Sequence, residues 1–148
     1  MKTILFIASL VLLAFTLLAF TYPRIPDRTK TPGDFCSKSN PDFKEYRYEE
    51  KVPICDRNVT SNRKTKIYDS YGVPKEDRED YTIDHLIPLA IGGSNSDKNL
   101  WPQNKEILSA SYEYKIYKQL KEGEITQEEA VDLIMKYKFK QDSTDVNE

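Results

Sequence analysis

Across 148 residues the chain carries one histidine, one tryptophan, two methionines, two cysteines and five glycines. Each shortage excludes something. One His and two Cys supply too few soft ligands for a closed tetrahedral zinc site. No Gly-x-Ser-x-Gly stretch is present, which leaves a serine-nucleophile elbow without its sequence signature. The 22 basic side chains are outnumbered by 24 acidic ones, a net charge of −2 with His neutral. The protein is therefore no polycation, and any grip on nucleic acid must come from a local patch. No internal repeat is visible, and the length suits one domain.

Charge is also missing near the start. Lys2 precedes an uncharged apolar run from Thr3 to Phe20. A single positive charge ahead of such a run reads as an export signal, and the run is just short of the ~20 residues of a membrane span. Two expectations stay open: cleavage near Ala19 and Thr21, or a retained anchor that tethers the chain through residues 3–20. Either places the rest outside the cytoplasm, as a secreted, periplasmic or membrane-anchored protein. There the even pair Cys36 and Cys55 is expected to form a disulfide. It would close a loop of about twenty residues and stabilise the fold by ~3 kcal/mol. The organisation expected is a leader or anchor over 1–21, an extended tether over 22–35, a folded domain over 36–140 and a disordered tail over 141–148.

Within the domain, "FKEYRYEEKVPIC" alternates as a short strand or irregular segment would. "SNRKTKIYDSYG" reads as a helix capped by Ser61 and ended by Gly72. "YTIDHLIPLA" has strand composition, and "GGSNSDK" is a loop. A second strand beyond it is left open. Ile107, Ala110, Tyr114, Tyr117 and Leu120 recur at helical steps and predict a helix from Asn104 to Glu122, stopped by Gly123. A further helix opens at Thr126 with a capping box to Glu129. Its apolar face is Ala130, Val131, Leu133, Ile134 and Tyr137. The fold class expected is α+β.

The chemistry concentrates at His85, the one imidazole, which lies directly after Asp84 and ahead of the Gly92-Gly93 pair. An imidazole can take a proton at neutral pH. Asp84 is a hard oxygen ligand suited to a divalent cation. The glycine turn would bring Asn99 back towards His85, where its amide oxygen could fix the tautomer. Neighbours in a regular strand point to opposite faces, so Asp84 and His85 serve one site only if the chain twists or leaves the strand there. Arg57, Arg63, Lys64 and Lys66 form a basic cluster that suits phosphates, or equally a solvated helix face. Trp101, ahead of Pro102, reads as a core anchor.

"DHLIPLAIGG" followed by "NLWP" resembles the HNH, or ββα-metal, nucleases. The close match spans residues 81–103. "GEITQEEAVDLI", "TPG" and "YDSYG" are similar to further segments of a small exported bacterial subgroup. The resemblance implies a ββα-metal core with additional helices and a metal-dependent endonuclease that hydrolyses phosphodiester bonds in DNA, with RNA as a further substrate. It implies His85 as general base, Asp84 as first ligand of one divalent ion, and Asn99 as the residue that orients the base through the loop. Mg²⁺ is the ion expected, with Mn²⁺, Ca²⁺ and Zn²⁺ as alternatives. The second ligand normally comes from the following helix, where this chain has no His. Asn104, Glu106 and Glu113 are the candidates. The alternative is a catalytically degenerate ββα module that binds nucleic acid or a protein partner without cutting.

Overall fold

The structure, a computed structural model, describes residues 25–107 and 109–140. The leader or anchor expected over 1–21 and the tail over 141–148 lie outside the described residues. Among these, no helix is long and apolar enough to cross a membrane. The chain forms strands β1 (Phe43–Arg47) and β2 (Val52–Cys55), helix α1 (Ser61–Ser70), strands β3 (Tyr81–His85) and β4 (Leu100–Asn104), then helices α2 (Ala110–Lys121) and α3 (Gln127–Lys140). Three short 3-10 turns, at Lys75–Asp80, Leu89–Ile91 and Asp97–Asn99, join them. The class is α+β: two separate antiparallel hairpins, β1–β2 and β3–β4, with helices packed around them.

Two apolar clusters meet at the end of β3. One holds Ile67, Tyr71, Val73, Tyr81, Ile83, Leu86, Leu100 and Trp101, and joins α1 to the β3–β4 hairpin. The other holds Ile87, Ile91, Ile116, Leu120, Ala130, Val131 and Ile134, and joins α2 to α3 and the Leu89–Ile91 turn. The two residues after His85 therefore enter different clusters, Leu86 the first and Ile87 the second. Each is almost fully buried, which fixes the chain on both sides of the site. Met135 of α3 packs against both clusters.

Several local expectations shift. α1 is capped by Thr60 rather than Ser61, through the Arg63 amide. The strand expected over 81–90 ends at His85, because Pro88 opens the Leu89–Ile91 turn. The helix expected from Asn104 begins only at Ala110. Residues 100–104 pair with β3 in the register His85↔Leu100 through Tyr81↔Asn104. The Asn104 side chain then accepts from the Glu106 amide and turns the chain. A local side-chain bond of this kind competes with helix formation. The capping box at α3 is present, with the Glu129 carboxylate accepting from the Thr126 amide and the Thr126 hydroxyl from the Glu129 amide.

The described part of the expected tether is bound to the body. Thr31 is fully buried and donates to the Leu100 carbonyl, the Gly33 amide donates to Lys98, and Phe35 bridges Gly93. Proline and basic residues suggested an extended tether; its described backbone groups find partners along β4 and the loop before it. Cys36 and Cys55 form a disulfide, 19 residues apart in sequence, which fits an oxidising compartment. It ties this strap to the end of β2. Replacing both cysteines by Ser should lower unfolding stability by about 3 kcal/mol, read from the denaturant midpoint. An unchanged midpoint would show that the bridge constrains nothing.

Candidate active site

The side chains of β3 alternate, and the last two go separate ways. Asp84 turns towards α2 and α3, while the His85 ring turns into the loop 94–99. The ring is 2 % exposed. Its Nε2 lies 3.0 Å from Asn95 Oδ1. Asn95 Nδ2 donates to Asp42 Oδ2 at 2.9 Å and to the Asp56 carbonyl at 2.8 Å. Both of those partners can only accept there, so the amide nitrogen faces them and Oδ1 must face the ring. An amide oxygen also only accepts, which puts the imidazole proton on Nε2. Nδ1 then carries the lone pair, buried and without a hydrogen-bond partner. Burial pushes the His85 pKa below its ordinary value. The Asn95 hydrogen bond and the Asp84 charge act against that shift, and the charges of Arg57 and Lys138 add to it. The net result is a neutral ring with one unshared lone pair.

Asn99 makes no hydrogen bond to the imidazole. Its Oδ1 accepts from the Ile87 amide at 2.9 Å, and its Nδ2 donates to the carbonyls of Ile87 and Ser94, both at 2.9 Å. Its own carbonyl accepts from the Leu86 amide. The direct contact expected from the sequence is thus replaced by a clamp that closes the loop on the residues after His85. The glycine pair makes the clamp possible. Gly92 has φ +96°, and a Cβ on Gly93 would lie 1.8 Å from the Ile87 carbonyl oxygen. Asn95, which the sequence reading missed, makes the ring contact. Its signal was the first Asn of "GGSNSDKN", but nothing in the sequence says which of the two reaches the ring.

On the other side of β3, Asp84 meets a lysine. Lys138 is 0 % exposed. Its Nζ lies 2.7 Å from Asp84 Oδ2, 2.8 Å from Glu113 Oε1 and 2.6 Å from the His85 carbonyl oxygen. Of the three helix-ligand candidates, Glu113 is the one that shares a cation with Asp84. Ser109, just ahead of α2, donates to the same Glu113 oxygen at 2.7 Å and fixes its side chain. Asn104 ends β4 and helps line a cavity of about 250 Å³ beside Asp84 and Glu113. Glu106 is exposed in the turn between β4 and α2.

Do these residues fit a divalent ion? Two carboxylates and a carbonyl are the right kind of donor for Mg²⁺ or Ca²⁺, but such ions take six or more oxygens. Here all three oxygens converge on an ammonium, whose three protons they satisfy. Among the described residues no group of three or more His, Cys, Asp or Glu is arranged to hold a metal. With Lys138 in place the donor set does not fit a divalent ion.

The basic cluster divides. Arg63 is engaged, donating to the Asn95 carbonyl at 3.0 Å and pairing with Asp97 at 3.1 Å. Arg57, Lys64 and Lys66 are exposed, on the segment that leads from the disulfide into α1. Trp101 is fully buried, as a core anchor should be. No protein family, curated protein or solved structure matches the chain.

The tautomer has a direct test. In ¹⁵N spectra above neutral pH the His85 ring should appear as the Nε2–H form. Asn95→Leu removes the acceptor and should give a mixture of both forms. A wild-type ring protonated on Nδ1 would contradict the assignment.

Proposed function

We propose that this protein is an endonuclease that hydrolyses phosphodiester bonds in DNA, and in RNA where it meets it, outside the cytoplasm. The observation that carries this reading is the setting of His85: a buried imidazole whose Nε2 is tied to Asn95 Oδ1 and whose Nδ1, without a partner, is left with the lone pair. That is the form a general base requires. It stands at the end of a β-hairpin followed by a helix, the order that the resemblance to ββα nucleases implies.

In this reading His85 Nδ1 takes a proton from a water molecule as the water oxygen attacks phosphorus. The bond from phosphorus to the leaving sugar oxygen breaks, and that oxygen takes up a proton from solvent water. The products are one phosphate end and one hydroxyl end. Asn95 holds the ring in the useful tautomer and accepts from Nε2 while the imidazolium exists. Asn99 maintains the loop that carries Asn95. Exposed Arg57, Lys64 and Lys66 supply positive charge for phosphates flanking the cut. Nδ1 is buried in the free chain, so the reading requires substrate to open the wall over it.

A second reading has an observation of its own. Lys138 fills the place between Asp84 and Glu113, which favours a ββα module that binds nucleic acid without cutting it. One assay separates the two. Under conditions where the wild-type chain nicks supercoiled plasmid, with Mg²⁺ or with chelator, His85→Ala should lower the rate by about 10²–10⁴-fold while it retains the circular dichroism of the folded chain. Retarded but uncut DNA with wild-type protein would favour the binding module. Nicking that survives His85→Ala would remove the imidazole from the mechanism.

A further inference from the structure

Lys138 occupies a position that its sequence context reserves for an apolar residue. Ala130, Ile134 and Lys138 are spaced four apart along α3, and the first two are fully buried in the second core cluster. A lysine on that stripe must find acceptors for its charge or remain outside. It finds three, from three different elements: Asp84 on β3, Glu113 on α2 and the main-chain carbonyl of His85. The two carboxylates are not sealed off. Their side chains keep 20 % and 21 % exposure and border the cavity of about 250 Å³ beside Thr82 and Asn104. The lysine reaches them from the core side and solvent reaches them from the other. The next residue, Phe139, packs against the first core cluster beneath the Arg28 guanidinium, 3.7 Å from the ring centroid. Withdrawing Lys138 would therefore mean loosening the last turn of α3.

We infer that Lys138 is the resident cation of this site: its ammonium fills the seat formed by Asp84, Glu113 and the His85 carbonyl and excludes a divalent ion from it. Ammonium and metal are alternative occupants, because both need the same inner oxygens. The inference rests on these contacts and not on the nuclease reading, so it is tested by binding rather than by cleavage. Lys138→Met leaves two carboxylates facing each other without a counter-charge, a state that recruits a cation.

The experiment titrates Mn²⁺ into the full chain and follows the free ion by electron paramagnetic resonance. Lys138→Met should show one saturable site that the added change Asp84→Asn abolishes. Wild type should bind at that site roughly 100-fold more weakly, the reduction expected when the open form is about 1 % populated. Equal affinity in the two proteins would overturn the inference. Should Lys138→Met fail to fold, the wild-type chain still decides. Its buried ammonium should give a slowly exchanging ¹H–¹⁵N signal that millimolar Mg²⁺ leaves in place, and loss of that signal on adding Mg²⁺ would also overturn it.

Discussion

A single buried ammonium connects the parts of this molecule that matter most. Lys138 joins α3 to β3 and α2, and one of its three hydrogen bonds ends on the main chain of His85 itself. An uncompensated charge at that depth would cost several kcal/mol. The three acceptors must therefore stay together, and with them the three elements that carry them. The end of β3 is fixed by this demand from one side. It is fixed from the other by Leu86 and Ile87, which enter different core clusters.

The imidazole owes its state to a second network built from other parts of the chain. Asp42 and Asp56 lie just outside β1 and β2, and Asp56 follows the disulfide-bonded Cys55. Together they take both amide protons of Asn95, which leaves the amide oxygen for His85. The N-terminal hairpin thus controls the tautomer of a ring carried by the second hairpin. Hydrogen bonds from Asn58 and Asn95 hold the Asp42 carboxyl below the usual carboxylate range, so it stays an acceptor. Asn99 works one step back, on the loop rather than the ring.

Much of the fold was legible from periodicity and turn chemistry. α1, α3, the strand before His85 and the disulfide followed from apolar spacing, a capping box, a glycine stop and an even cysteine count. The false start of α2 has a local cause: Asn104 bonds the Glu106 amide, and helical spacing does not register such a competitor. The site was harder to read. Asp84 and His85 are adjacent in sequence, yet strand alternation divides them between two networks. Choosing Asn95 over Asn99 requires knowing where the β1–β2 hairpin lies. Lys138 escaped notice because lysine on a helix is ordinarily solvated. Its one sequence signal was its spacing, four residues after Ile134 on an otherwise apolar stripe.

The central claim is that a lysine, and no metal ion, stands between Asp84 and Glu113 in the free chain. Anomalous diffraction from crystals grown with Mn²⁺ tests it most directly. The account predicts Lys138 Nζ in density between the two carboxylates and no anomalous peak there. A peak at that position, with the lysine turned away, would contradict it.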